Sequence, residues 1–155
     1  MASKTPHSEV VKKSITINAS QARVWKIISN IVDMSWVTGV KETSFLSEKK
    51  RGIGAVRKIT LEDKNVIEEH IVLWESGSRF SYIATKGLPL HAYVATISLK
   101  QKGPDITRIT WQSYLNSTDM SKVRFSEFLI QMGLFYETSL GNLKDMLESK
   151  PPRRK

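Results

Sequence analysis

DMSKVRFSEFLIQMGLFYETSLGNLKDMLES, residues 119–149, is the stretch whose reading decides the fold. Within it Phe125, Phe128, Leu129, Met132, Phe135 with Tyr136, Leu140, Leu143 and Leu147 recur at steps of three and four. That is the period of one face of an α-helix. Ser121 or Asp119 is placed to cap its start, since a short oxygen-bearing side chain there accepts from the orphan amides of the first turn. Pro151-Pro152 ends it, because proline cannot continue a helix. The expectation is one long amphipathic helix.

Working back from this helix, the period changes. From Thr38 to Leu115 the chain offers short runs rich in Val, Ile, Thr and aromatic residues. They are broken at Lys49–Gly54, Asp63–Asn65, Glu75–Ser78, Lys86–Leu90 and Gln101–Asp105. These are six strands in succession with mostly short connections, hence an antiparallel meander. Val10–Asn18 reads as a further strand. Ser20 then reads as an N-cap, with Ala22, Trp25 and Ile28 at helical spacing behind it. A second short helical turn is expected over Ile31–Trp36. A seven-stranded antiparallel sheet exposes one apolar face, and one long helix is available to cover it. A sheet curled around that helix is the economical solution, an α+β helix-grip architecture with two short helices between strands 1 and 2.

Composition bounds the rest. At 155 residues one domain is expected, over 9–149, between a disordered N-terminus at 1–8 and a basic tail at 150–155. The absence of cysteine excludes disulfides and thiolate chemistry. Met1–Ser8 lacks the apolar core of a secretory signal, and no apolar run is long enough for a membrane helix. The expected setting is therefore cytoplasmic. The net charge of +9 implies weak contact with anionic lipid or an acidic protein through the basic surface. Specific nucleic-acid recognition is not expected, because the aromatic residues fall on core-facing positions. The three histidines have no paired ligand spacing, so no metal is expected. Gly52-x-Gly54 is too short for a phosphate loop and precedes a strand, and no other cofactor motif is present.

The segment Ile15-Thr-Ile-Asn-Ala-Ser-Gln-Ala-Arg-Val-Trp-Lys-Ile-Ile resembles the opening of polyketide cyclase/dehydrase and lipid-transport proteins of the START-like (SRPBCC) superfamily. Ser35-Trp36, Gly52-x-Gly54-x-x-Arg57, Glu69, Trp74, Tyr82, Leu88-Pro89 with Tyr93, and Trp111-Gln-Ser-Tyr114 follow in the family's order. The Phe/Leu-rich terminal helix completes the pattern, over about residues 10–148. The resemblance implies the Bet v 1-like helix-grip fold and a cavity between sheet and helix that takes a small hydrophobic molecule such as a lipid, isoprenoid or polyketide. The superfamily's chemistry is not shared, so fold alone does not fix activity.

Strand alternation then assigns faces. A three-residue connection at Asp63–Asn65 pairs 59 with 69. It puts Arg57, Ile59 and Leu61 on one face with Ile67, Glu69, Ile71 and Leu73, and makes Arg57 and Glu69 diagonal neighbours. A turn at Glu75–Ser78 pairs 73 with 80 and 71 with 82, bringing Phe80 and Tyr82 to the same face. Tyr93 and Ala95 belong to the apolar parity of their strand. Glu68 and His70 point the other way. Strand 106–115 is ambiguous: Ile109, Trp111 and Leu115 are apolar on one parity, whereas resemblance to the plant hormone receptors puts Gln112 and Tyr114 inside. From the helix, Phe128, Met132, Phe135 and Ser139 face the sheet. Leu88, Pro89, Leu90 and His91 lie in a loop that rims the cavity in the relatives. The expected wall is apolar and aromatic with a few polar points, as in small-molecule sites.

Three functions compete. A carrier or sensor needs only the cavity and an orienting polar group. A cyclase or dehydratase needs a base and an oxyanion donor; Glu69 as base, Arg57 as donor and Tyr82 or Tyr93 as proton donor are the candidates, although an ion-paired Glu69 is expected to have a lowered pKa. A protein-interaction module needs no cavity. An interior filled by side chains favours the last, and room for a guest favours the first two.

Overall fold

The computed structural model describes residues 6–149. Its elements run β1 (His7–Ile17), α1 (Gln21–Ile28), β2 (Val40–Phe45), β3 (Val56–Leu61), β4 (Val66–Glu75), β5 (Arg79–Lys86), β6 (Ala92–Gly103), β7 (Ile106–Ser117) and α2 (Lys122–Glu148). All seven strands form one antiparallel sheet in the order β1-β7-β6-β5-β4-β3-β2. Consecutive strands from β2 to β7 are neighbours, and β1 returns to pair with β7 along its full length. The sheet and α2 form the helix-grip arrangement expected from the order of elements.

Local chemistry sets the ends of the helices. Ser20 Oγ accepts from Arg23 N at 3.3 Å, and Ser121 Oγ from Arg124 N at 3.1 Å. Ser121, not Asp119, is thus the cap of α2. β1 starts at His7, inside the stretch expected to be disordered; the basic tail at 150–155 lies outside the described residues.

Only one short helix lies between β1 and β2, where two were expected. Residues 29–37 form separate turns, with Asn30 N to Ile27 O, Asp33 N to Asn30 O and Val37 N to Met34 O. Asp33 Oδ1 accepts from both the amide and the hydroxyl of Ser35, an Asx turn that competes with helical hydrogen bonding. A segment this short also gains too few propagating bonds to offset helix nucleation. Its apolar residues are nonetheless buried: Ile31, Trp36 and Val37 join the core. Thr38 N donates to Ser139 Oγ at 3.1 Å, and Asn142 Nδ2 donates to Trp36 O at 3.2 Å. These bonds tie the segment to the middle of α2.

The core is continuous between the sheet's concave face, α1 and the C-terminal half of α2. Trp25 of α1 meets Trp74 edge-on at 5.2 Å and Phe80 at 6.2 Å. Trp111 stacks on Tyr136 at 4.1 Å. Trp74 reaches this core through a β-bulge: Ile71 still opposes Tyr82, but Leu73 then opposes Ser81 and Trp74 opposes Phe80. The extra residue reverses parity, so the expected 73–80 pairing is replaced by 74–80. No helix among the described residues is long and apolar enough to cross a membrane.

Candidate functional site

β3 and β4 oppose Arg57 to Glu69 and Ile59 to Ile67. This register is two residues from the expected one, because the three-residue turn is Glu62–Lys64, closed by Leu61 N to Asn65 O at 2.9 Å, one residue earlier than Asp63–Asn65. A shift of two preserves the face. It turns the diagonal pair into a direct one: Arg57 Nη2 lies 2.7 Å and Nε 2.9 Å from Glu69 Oε1. Arg57 is 4% exposed and Glu69 6%, so the pair is buried. Arg57 also donates from Nη1 to Ile31 O at 2.7 Å, and its guanidinium lies 4.9 Å from the centre of the Tyr82 ring. The guanidinium therefore pins the turn segment to the sheet while neutralising Glu69. Burial pushes the Glu69 carboxyl above its ordinary value, and the charge and hydrogen bond of Arg57 pull only part of that back. The ion pair alone implies a lowered pKa, but desolvation of the buried carboxyl outweighs it.

Next to Glu69 is a small inner chamber of about 60 Å³. Ile59, Glu69, Tyr82, Tyr93, Trp111 and Phe135 are among its walls, closed by Met34, Val37 and Val40 from the turn segment and strand β2. It is largely filled by aromatic rings. Trp111 Nε1 donates to Tyr82 Oη at 3.0 Å, and the hydroxyls of Tyr93 and Tyr136 are hydrogen-bonded to each other. Burial raises the pKa of Tyr82 and Tyr93 well above the ordinary phenol value and that of Tyr136 above it, so all three keep their protons at neutral pH.

Beyond the chamber, sharing Leu61, Ile67, Leu88, Met132 and Phe135 with it, opens a cleft of about 600 Å³. Its walls are predominantly apolar. Phe128, Met132 and Phe135 of α2 form one side, Leu61 and Ile67 the other, and Leu88 the roof; Glu62, Asp63 and Gln131 add polar groups to the lining. The rim is held by Asn65 Nδ2, which donates to Gly87 O at 2.9 Å. Gly87 has φ +95°, and a Cβ there would come 2.0 Å from Val66 O, so only glycine allows these two loops to meet.

The structure therefore gathers Ile59, Glu69, Tyr82, Leu88, Tyr93, Phe128, Met132 and Phe135 around one cleft and chamber. Other expected wall residues sit elsewhere. Ile71 and Ala95 are buried in the core and do not line either space. Ser139 faces the sheet side but is bonded to Thr38 N, and Arg57 lies behind Glu69. His91 is exposed and turns to a separate recess with Pro89, Leu90 and Arg124; its own amide donates to Asn116 O, which fixes the side chain outside the cleft. Gln112 is exposed on the convex face, as is Tyr114 at 41%, while Ile109, Trp111 and Leu115 are buried. The apolar parity of β7 was the correct guide, and the resemblance to hormone receptors was not: burying Trp111 removes far more apolar surface from water than burying Gln112. His70 is half-buried on the opposite face beside Glu68, at 3.4 Å. Trp111 was legible as a wall residue from that same parity, and Leu61 and Ile67 from theirs. Nothing in the sequence pattern marked Thr38 and Gly39, which line the cleft from an irregular loop.

A curved sheet gripping one helix, with an apolar cleft at one end of their interface, defines a helix-grip protein with room for a small guest. The chain belongs to the polyketide cyclase / dehydrase and lipid transport family, whose model matches residues 8–148. Among solved structures it is similar to an uncharacterised protein from Bacillus thuringiensis, with TM-score 0.78 and 19% identity over 91% of this chain and 100% of that one. It is also similar to norcoclaurine synthase from Thalictrum flavum in complex with dopamine and hydroxybenzaldehyde, with TM-score 0.71 and 18% identity over 95% and 91%. A Streptomyces aromatase/cyclase matches with TM-score 0.75 and 10% identity over 92% and 94%. At these identities the likeness is one of fold. No curated protein sequence matches the chain.

Proposed function

We propose that the protein binds a small hydrophobic molecule, of lipid, isoprenoid or polyketide type, in the cleft between the sheet and the N-terminal half of α2, as a carrier or sensor inside the cell. The observation that carries this reading is the cleft of about 600 Å³ with its mainly apolar walls. Its volume falls in the range typical of ligand pockets. The guest's body lies at the mouth, since the inner chamber of about 60 Å³ admits only a small group. Native mass spectrometry of freshly purified protein tests the reading. A lipid-like mass that leaves on denaturation supports it. A bare chain that also gains no mass from added apolar compounds contradicts it.

A second reading, a cyclase or dehydratase using the same cleft, is favoured by one observation: burial brings the Glu69 carboxyl closer to neutrality, where it is a better base. It ranks second because Arg57, the expected oxyanion donor, is engaged by Glu69, Ile31 O and the Tyr82 ring and does not line the chamber. Unchanged turnover of a true substrate in Glu69→Gln would exclude the base role.

A further inference from the structure

Glu69 and Tyr82 share the chamber wall, and each leaves one hydrogen-bonding position unused. Both contacts from Arg57 go to Glu69 Oε1; Oε2 makes no hydrogen bond among the described residues. Tyr82 Oη accepts from Trp111 Nε1 at 3.0 Å and makes no other hydrogen bond within 3.5 Å among the described residues. No hydrogen bond joins Tyr82 to Glu69, although both line the same space of about 60 Å³. The chamber wall thus offers, on two buried residues, an acceptor with no donor and a donor with no acceptor at hydrogen-bond distance among the described residues. Buried polar groups are rarely left in this state, and those that are call for an occupant.

From this we infer that the guest's leading end is a neutral hydroxyl, alcohol or phenol, which donates to Glu69 Oε2 and accepts from Tyr82 Oη. This rests on the cleft reading above and names the head group that reading leaves open. A hydroxyl is the small group that both donates and accepts. An ammonium can only donate, and would leave the Tyr82 proton unpaired. It would also add a net charge to a buried pair that is already neutral. A carboxylate can only accept; it would face Oε2 of Glu69 in the chamber and Glu62 and Asp63 in the cleft. The protonated state of Tyr82 at neutral pH supports the donor role assigned to it. A water molecule satisfies the same two atoms, so the guest's hydroxyl takes the place of water and gains by matching its bonds.

The test compares three probes of one shape at neutral pH, naphthalene, 2-naphthol and 2-naphthoate, titrated by calorimetry. The expected result is that 2-naphthol binds about tenfold more tightly than naphthalene, the scale of one hydrogen bond to a charged acceptor. 2-Naphthoate is expected to bind more weakly than either. In Tyr82→Phe the affinity ratio of 2-naphthol to naphthalene shrinks to roughly threefold, and an unchanged circular-dichroism spectrum reports that the fold is intact. If that variant does not fold, the three-probe comparison on the unaltered chain decides alone. Equal binding of naphthalene and 2-naphthol overturns the inference and leaves the cleft reading standing, with water as the chamber's occupant. Tightest binding of 2-naphthoate overturns it in favour of an anionic guest. Binding of no probe overturns the cleft reading, and this inference with it.

Discussion

The two halves of α2 are one helix with two different undersides. From Tyr136 onward, Tyr136, Ser139, Leu140, Leu143 and Leu147 are buried at helical spacing, and the helix is fixed to the sheet. Before Tyr136 only Phe125 and Gly133 are buried. Phe128, Leu129, Met132 and Phe135 are partly buried there, while Val123, Ile130 and Leu134 are exposed at 69%, 63% and 52%. The sequence period is the same in both halves. What differs is the partner: a filled core beneath the second half, an open cleft beneath the first. An apolar face can thus serve stability where it is covered by the protein's own chain, and binding where it is left for a guest.

The sharpest test of this division is the ion pair beneath the mouth. Arg57→Met leaves Glu69 buried without its partner and is expected to cost about 3–5 kcal/mol, measured by urea unfolding. Replacing both, Arg57→Met with Glu69→Leu, is expected to recover most of that loss, because no uncompensated charge remains. The sign of the pH dependence follows from Glu69. Its folded pKa is raised above the ordinary value of 4.5, so its contribution to stability is present below that value and is lost as pH rises through the folded pKa. Without Arg57 a lowering influence is gone and the folded pKa climbs further. The deficit of Arg57→Met is therefore smaller in mildly acidic buffer than at neutral pH; a larger deficit in acid would contradict the account.

In the anchored half, Leu143→Ala is expected to cost about 2–5 kcal/mol, because Leu143 is fully buried and its cavity cannot collapse. In the mouth half, Met132→Ala should change unfolding by only about 1 kcal/mol and instead weaken binding of an apolar probe. Equal stability losses at the two positions would remove the distinction between the halves. Ser139→Ala leaves Thr38 N without its acceptor and is expected to cost about 1–2 kcal/mol, loosening the wall that residues 34–40 supply to the chamber. The smallest effect belongs to Ile130→Ser on the exposed side, within about 0.5 kcal/mol.

Much of this architecture was legible because it depends on periodicity and punctuation. The strand breaks, both serine caps and the helical face of α2 follow from residue type and spacing, and two-residue register errors do not change which face a strand presents. Legibility failed where one residue matters. The bulge between Ile71 and Leu73 moves Trp74 inward and leaves no mark in the alternation, since Leu73 and Trp74 are both apolar. Residues 31–36 read as a short helical turn, whereas Ile31 and Trp36 are buried from separate turns. The depth of the cleft was hidden for a different reason: it depends on how Tyr82, Tyr93, Trp111 and Phe135 fill space together, which no one-dimensional pattern carries.

The most direct measurement is amide chemical-shift mapping on addition of 2-naphthol. The account predicts perturbations concentrated at Thr38 and Gly39, at residues 61–69, at Leu88 and along residues 128–135 of α2, with residues 140–147 unmoved. Perturbations centred on the convex face around Val94 and Tyr114, or spread evenly along both halves of α2, would contradict it.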